Sequence, residues 1–291
     1  MKCPQSQGHE MGAEIRTRVL NCGLMRPRGA RLFIPDLATV PCLCLLIEAG
    51  GRLALVDAGF GTRDIREPGR LGNANLVLNA RRDPGETAVR RVERLGFRPE
   101  EVTDIICTHL DRDHAGGLSD FPDARVHVLK AEYEAATSPN TFAERERYRK
   151  CHFAHGPVWV TYDTVSPEAW FGMECVRALE GLPPEIVLVP LPGHTRGHCG
   201  VAVETGEGWL LHCGDAYYVK GEIEKGKPVP PGVRSFGRVA HCDHSKAMLQ
   251  VERLARTLAD NGGDIRTIAS HDLLEYLKLS EMKPAPGRPR E

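Results

Sequence analysis

Short apolar runs recur along the chain, and their length predicts buried strands rather than helices. The runs at residues 42–47 and 53–56 flank a Gly-Gly turn, which is the pattern of a β-hairpin. A second hairpin is predicted farther along, where the runs at 200–203 and 209–212 flank a turn at 205–208. Each half of the chain is therefore predicted to contain one pair of antiparallel strands.

Further strands and two helices are predicted outside these hairpins. The additional strands are at residues 16–22, 105–107, 125–129, 186–189 and 265–269. Residues 84–95 place three apolar side chains on one helical face, and Gly96 marks the end of that helix. Asp243 is the predicted N-cap of a second helix, which ends at Gly262. Residues 220–238 are rich in Gly and Pro and predict a long loop.

Residues 131–185 differ from the rest of the chain, because charged runs stand beside many aromatic side chains and strand patterning is weak. We expect this segment to be a partly helical cap. It would be an insertion within a single domain that spans residues 15–279. Its aromatic rings either pack the insertion against the domain or line a substrate pocket. The polar residues 1–14 and the Pro- and Arg-rich residues 280–291 are predicted to be flexible tails.

The charges of the 291-residue chain nearly cancel, with 38 basic and 39 acidic side chains, so the sequence lacks the basic excess of a nucleic-acid-binding protein. It contains no apolar stretch near the roughly 20 residues that span a bilayer. The first 14 residues also lack the apolar region of a signal peptide. We therefore expect a cytoplasmic protein that binds neither nucleic acid nor membranes. Its ten cysteines are dispersed, many of them in apolar runs, which favours reduced thiols in the core.

Residues 108–117 concentrate potential metal ligands just after a predicted strand. If the chain stays extended there, His109 and Asp111 point in the same direction, because alternate residues of a strand share a face. If the chain then turns into a helix, Asp113 and His114 point in a neighbouring direction. Two adjacent ligand pairs of this kind suit two metal ions a few ångströms apart.

Three more candidate ligands follow predicted strands in the second half of the chain. They are His194, Asp215 and His271, and each stands shortly beyond an apolar run. If the strands belong to two packed sheets, these residues and His109 meet along one edge of the molecule. Functional groups held on loops at the edge of a rigid scaffold are typical of an active site.

Five short motifs, taken in order, resemble the metallo-β-lactamase superfamily. They are Val-Asp-Ala-Gly at 56–59, Thr-His-Leu-Asp-Arg-Asp-His at 108–114, Gly-His-Thr at 193–195, Gly-Asp at 214–215 and Ser-His-Asp at 270–272. The resemblance implies an α/β (α+β) fold, a four-layer αβ/βα sandwich in which two sheets carry helices on their outer faces. It also implies an enzyme that acts on a small-molecule substrate, as a monomer or as a homodimer.

Carried over position by position, the resemblance assigns ligands for two divalent metal ions. The first ion would be held by His109, Asp111 and His194, and the second by Asp113, His114 and His271, with Asp215 bridging the two. Asp57 matches a residue that lies beneath the metals and supports their ligands. The family usually has histidine at position 111, and the carboxylate of Asp111 is a harder ligand that shifts preference towards iron or manganese. Zinc is nevertheless the expected metal.

Within the superfamily, the N-acyl-homoserine lactonases offer the nearest functional resemblance. Tyr218 stands three residues after Asp215, where those enzymes have a tyrosine that hydrogen-bonds the substrate carbonyl; the alternative is that Tyr218 only packs against its loop. In the expected reaction a metal-bound hydroxide attacks a lactone or ester carbonyl. Asp113 would then carry the proton to the leaving alkoxide.

Two other functions are compatible with the same residues. In the first, Asp111 belongs to an iron centre and the protein is a redox enzyme of the same fold. In the second, the change at position 111 marks a degenerate metal centre, and the protein binds a ligand without turning it over.

Overall fold

The computed structural model describes residues 15–28, 39–164, 168–176 and 178–281 of the chain. Two β-sheets face each other, and helices pack on the outer face of each sheet. This is the four-layer αβ/βα arrangement that the sequence motifs imply.

The first sheet has six strands in their order along the chain. They are β1 (Arg16–Met25), β2 (Val40–Ala49), β3 (Arg52–Val56), β4 (Val102–Ile106), β5 (Arg125–Leu129) and β6 (Val158–Tyr162). The first three strands are antiparallel, whereas β3 to β6 run parallel to one another. The parallel strands therefore end at the same edge of the sheet, and the segment that contains His109 begins there.

The second sheet is preceded by a small hairpin, formed by β7 (Glu168–Trp170) and β8 (Met173–Cys175). The four strands of the second sheet are β9 (Ile186–Pro190), β10 (Cys199–Thr205), β11 (Gly208–His212) and β12 (Ile265–Ile268). Their spatial order is β12-β11-β10-β9, and only the β11–β12 pair is parallel. Because β11 and β12 are parallel, Asp215 and His271 follow strand ends at one edge.

Nine α-helices lie within the described part of the chain. They are α1 (Thr62–Arg66), α2 (Asn75–Leu78), α3 (Ala88–Arg94), α4 (Arg112–Ala115), α5 (Lys130–Thr137), α6 (Phe142–Arg147), α7 (Pro231–Ala240), α8 (His244–Asn261) and α9 (Leu273–Glu281). Among these residues, no helix combines the length and the apolar character that crossing a bilayer requires.

The three largest clusters of the hydrophobic core lie between the sheets and on the outer face of each sheet. Between the sheets, Leu45 and Val56 of the first sheet share a cluster with Leu188 and Val201 of the second. Helices α3 and α5 cover the first sheet, and α8 covers the second through side chains such as Leu254. Apolar burial on this scale holds both sheets rigidly, so the loops at their common edge have a fixed support.

Most predicted elements are confirmed, and two of them need correction. The predicted helix at residues 84–95 is divided, because Pro84–Glu86 forms a 3₁₀ turn and the α-helix begins only after Thr87. The predicted loop at residues 220–238 is wrong in its second half, where α7 forms. Pro231 stands in the first turn of α7, where a missing N–H costs nothing, so this proline favours the helix start instead of breaking the chain.

Residues 131–185 contain more regular structure than the cap prediction assumes. Strand β6 pairs with β5 and is the outermost strand of the first sheet, while α6 and most of α5 precede it and the β7–β8 hairpin follows. The predicted tail at residues 1–14 lies outside the described residues. At the other end, α9 continues to Glu281, and residues 282–291 are not among those described.

Candidate metal centre

The structure brings all seven predicted ligands to one edge of the sandwich. His109, Asp111, Asp113 and His114 follow β4 and enter α4, His194 lies between β9 and β10, and Asp215 and His271 follow β11 and β12. Six of them are buried, and Asp111 is partly buried. Residues that stand up to 162 positions apart in the sequence thus meet because their strands end together.

Four of these residues surround the predicted second metal position. The Nε2 atom of His271 lies 3.4 Å from Asp113 Oδ2 and 3.3 Å from Asp215 Oδ1. The Nε2 atom of His114 lies 3.3 Å from the same oxygen of Asp215. We call Asp113, His114, Asp215 and His271 the second half of the centre.

The remaining three residues surround the predicted first metal position. The Oδ2 atom of Asp111 lies 3.4 Å from His109 Nε2 and 3.3 Å from His194 Nε2. Asp215 also reaches this side, with its Oδ2 atom 3.4 Å from His194 Nε2. We call His109, Asp111 and His194 the first half of the centre.

Hydrogen bonds to the outer ring nitrogens orient three of the four histidines. His114 Nδ1 donates to Asp57 at 2.8 Å, and His271 Nδ1 donates to the carbonyl oxygen of Pro41 at 2.6 Å. His109 Nδ1 lies 3.0 Å from the Thr108 hydroxyl, which donates its own hydrogen to Asp57 and therefore accepts from the ring. With Nδ1 protonated, each Nε2 directs a lone pair into the centre, as a metal ligand must.

Asp57 supports both halves from below, as the sequence motif implies. Its carboxylate accepts hydrogen bonds from the backbone and the hydroxyl of Thr108, each at 2.8 Å, and from His114. Burial opposes ionisation of Asp57, but the charge and hydrogen bond of His114 outweigh it and lower the pKa of this carboxyl. The backbone of Asp57 has a φ of 58°, and its N–H is bonded to Ile106.

Three buried ligand atoms have no hydrogen-bond partner within the described structure. They are His109 Nε2, His114 Nε2 and Asp215 Oδ1, and they lie within 4.8 Å of one another. Burying a polar atom without a partner costs about 1–3 kcal/mol, so three such atoms facing one point indicate a missing charged partner. Imidazole nitrogen and carboxylate oxygen are suitable donors for a divalent transition metal, and the residues therefore fit such an ion.

Cys42 lies beside the second half of the centre, a position that its apolar run did not predict. Its sulfur lies within 4.8 Å of ligand atoms of Asp113 and His271. Burial raises the pKa of the thiol well above its ordinary value, and the nearby carboxylates raise it further. Only its place at the start of β2, next to the carbonyl that orients His271, could have indicated this proximity.

Arg147 is the second residue at the centre that no sequence motif indicated, and it contacts the first half directly. Its Nε and Nη2 atoms donate to the two carboxylate oxygens of Asp111 at 2.6 and 2.7 Å, which is a bidentate ion pair. The same Nη2 atom lies 2.6 Å from His194 Nε2. Burial raises the pKa of Asp111, but Arg147 overcomes this effect and holds that pKa well below its ordinary value.

His194 consequently differs from the other three histidines in the partner of its Nε2 atom, which is a guanidinium. Because Arg147 donates to Nε2, the ring accepts at that atom and carries its proton on Nδ1. That Nδ1 lies 3.2 Å from the hydroxyl of Tyr218 and 3.2 Å from Nδ1 of His241. Tyr218 is buried and stacks on His241, with ring centroids 5.7 Å apart.

Two further buried side chains hold the ligand loops in place. Glu132 accepts from the backbone N–H of Leu110 at 2.9 Å and from that of Gly197 at 3.1 Å, so it joins the loops of His109 and His194. His198 Nε2 accepts from the backbone N–H of Asp215 at 2.9 Å. Burial lowers the pKa of His198 to about 3, which keeps the ring neutral and able to accept this bond.

Comparison with known proteins gives the family. Residues 37–271 match the family model described as the metallo-beta-lactamase superfamily. The chain is 37% identical over 261 residues to a protein of Mycobacterium tuberculosis named "Probable metallo-hydrolase", a match that covers 90% of this chain and 81% of that protein. It is 30% identical over 197 residues to an N-acyl homoserine lactonase of Bacillus thuringiensis, covering 66% of this chain and 70% of the lactonase.

Solved structures of related proteins have the same fold. An N-acyl homoserine lactone hydrolase with its product N-hexanoyl-L-homoserine at the catalytic metal center superposes with a TM-score of 0.68 at 22% identity, covering 92% of this chain and 97% of that one. A dizinc quorum-quenching lactonase gives a TM-score of 0.60 at 17% identity, covering 91% and 90% of the two chains. At these identities the structures establish the fold. Together with the family match, they show that the chain belongs to the metallo-beta-lactamase superfamily and is a hydrolase of that family.

Proposed function

We propose that this protein is a metal-dependent hydrolase that opens lactones or cleaves related esters of small molecules. The observation that carries the proposal is the second half of the centre, where two carboxylates and two oriented imidazoles converge on one point. These four side chains would hold a divalent ion, which would lower the pKa of water towards neutrality and polarise a carbonyl oxygen. Zinc is the proposed metal, because imidazole and carboxylate donors both suit it.

The residues of the second half divide between binding and proton transfer. His114 and His271 are fixed by Asp57 and Pro41, so they keep their Nε2 lone pairs in position. Asp113 is the carboxylate that we assign to proton transfer, since its side chain retains 11% exposure beside the buried imidazoles. A carboxylate placed in this way takes a proton from the attacking water and returns it to the leaving alkoxide.

The lactone is the substrate class that the relatives support. The Bacillus protein with 30% identity is named as a lactonase, and one structural relative holds a ring-opened N-acyl homoserine. Tyr218, which the resemblance in the sequence assigns to substrate binding, has its hydroxyl 3.2 Å from Nδ1 of His194. We propose that the Tyr218 hydroxyl accepts from His194 Nδ1 and donates its own hydrogen to the substrate carbonyl.

A panel of substrates with the zinc-loaded protein tests this proposal. The panel contains an N-acyl-homoserine lactone, a simple δ-lactone, an aryl ester, a thioester and a phosphotriester. We expect kcat/KM to be highest for a lactone or ester, at about 10⁴ M⁻¹s⁻¹ or more, which is the lower end for good enzymes. Treatment with a chelator should abolish the reaction, and added zinc should restore it.

Two results would contradict the proposal in different ways. Turnover of only the thioester or the phosphotriester would leave a metallohydrolase but would overturn the assignment of lactones and esters. A protein that contains iron, absorbs visible light and turns over none of the five substrates would instead support the redox alternative.

A further inference from the structure

The guanidinium of Arg147 lies where a metal ion of the first half would have to bind. Its Nη2 atom is 2.7 Å from Asp111 Oδ2 and 2.6 Å from His194 Nε2. Those two atoms are themselves 3.3 Å apart, and they are two of the three ligand atoms of this half. An ion at the usual distance of about 2 Å from both atoms would lie against the guanidinium.

We propose that Arg147 takes the place of the first metal ion, so that this protein binds a single ion, in the second half of the centre. The inference uses the metal centre of the proposed function but does not depend on the substrate. It replaces the expectation of two ions that follows from the sequence motifs.

The charge of Arg147 excludes a second cation from this position. A guanidinium stays protonated at every accessible pH, so it cannot give way to a metal by losing a proton. It also occupies the lone pairs that a metal would need, because Nε and Nη2 cover both oxygens of Asp111 and Nη2 covers His194 Nε2. The donors that remain are His109 Nε2 and the bridging Asp215 Oδ2, and two ligands are too few for tight binding. His109 instead faces the point that it shares with His114 and Asp215.

The backbone around the site holds Arg147 in this position. Its Nη1 atom donates to the carbonyl oxygen of His194 at 3.1 Å and to that of Ala240 at 2.8 Å. With these bonds, each of its nitrogens donates to an acceptor in the structure. Arg147 is therefore a positioning residue: it joins the loops of Asp111 and His194 to the end of α7, and it has no free N–H for the substrate.

Metal content provides a test that needs no substrate. The wild-type protein, saturated with zinc and freed of loosely bound ions, should contain about one ion per chain by elemental analysis. Arg147→Ala should bind about two, since Asp111 and His194 regain their free donor atoms. The matched control is Arg145→Ala, which removes an exposed arginine from the same helix and should leave the content at one.

Asp111→Ala distinguishes this inference from the expectation of two ions. If Asp111 held a metal, its loss would lower the content from two towards one. If it binds Arg147 instead, the content stays at one, and the thermal midpoint falls because a partly buried guanidinium loses its carboxylate. The cobalt-substituted protein provides a second measurement, since its absorption should saturate at one equivalent in the wild type and at two in Arg147→Ala.

Two ions in the wild type would overturn the inference, and so would a single ion in a folded Arg147→Ala variant. If that variant does not fold, the wild-type content and Asp111→Ala still decide the question. A wild type with one ion and no lactone turnover would support Arg147 in this role while contradicting the proposed substrate, so the two failures can be told apart.

Discussion

The two halves of the metal centre contain the same kinds of side chain but face different partners. In the second half, His114 and His271 donate through Nδ1 to fixed acceptors and leave Nε2 directed at the carboxylates of Asp113 and Asp215. In the first half, a guanidinium contacts both the carboxylate of Asp111 and Nε2 of His194. Ligand chemistry alone would have assigned a metal to each half.

This difference shows that a set of ligands predicts a metal only when no other cation lies among them. The position of a guanidinium depends on the helix that carries it and not on the ligand motif. The substitution of aspartate at position 111 fits this view, because a carboxylate matches the donor geometry of an arginine as well as it matches a metal.

Removing a ligand from the second half should eliminate both metal binding and activity. In His271→Ala the zinc content should fall towards zero, and kcat/KM should fall at least about 10³-fold, because the charge stabilisation that an ion provides is worth several kcal/mol. The counterpart in the first half is Asp111→Ala, for which the metal content is expected to stay the same. Equal loss of metal in both variants would mean that the two halves bind ions alike.

A change at Asp57, which supports the metal ligands, should have a smaller but measurable effect on zinc affinity. Asp57→Asn keeps the shape of the side chain but removes the charge that accepts from His114, and it should weaken zinc affinity about 10- to 100-fold. A chelator competition experiment measures this affinity. Asp104→Asn is a matched control, since Asp104 is a buried aspartate that binds His127 and Arg125 in the first sheet. It should lower stability without changing zinc affinity, and a similar loss of affinity would indicate general unfolding.

The smallest effect is expected at Tyr218, whose hydroxyl contacts the first half through Nδ1 of His194. Tyr218→Phe removes the hydroxyl beside His194 Nδ1 and should lower kcat/KM for a lactone about 10-fold, with the metal content unchanged. The control is Tyr217→Phe, because the neighbouring hydroxyl binds Thr267 and Glu275, outside the centre. Steady-state kinetics of both variants decide the matter, and an unchanged Tyr218→Phe would leave that residue with a packing role.

The sheets and the ligand set could be predicted because both follow from local patterns. Apolar runs such as those of β2 and β9 are buried on both faces, and the Gly-Gly turn determines how β2 pairs with β3. The ligands directly follow such runs, so the ends of the strands bring them together. The order of the motifs along the chain was therefore almost sufficient to predict that these ligands lie close together.

Arg147 and Glu132 could not be predicted, because their contacts depend on how two helices pack. The run that ends at Arg147 has the alternating charges of a solvated helix surface, and Arg147 lies 36 positions from Asp111. The only local signal is the aspartate at position 111. Its carboxylate indicates a neighbouring cation but does not distinguish a metal ion from an arginine. Helix α7 could not be predicted for another reason, because glycine and proline favour loops in general, whereas this proline lies in the first turn of a helix.

The backbone of Asp57 has a consequence for how far this centre could be stabilised. With φ at 58°, Asp57 adopts the left-handed conformation that glycine tolerates best, and this costs an ordinary residue roughly 1–2 kcal/mol. A glycine there would relieve the strain but would leave Thr108 and His114 without their acceptor. The chain thus keeps local strain in exchange for three hydrogen bonds to a carboxylate under its metal ligands. These bonds together are worth more than the strain, so replacement by glycine, the usual remedy for a left-handed residue, would lower the melting temperature here.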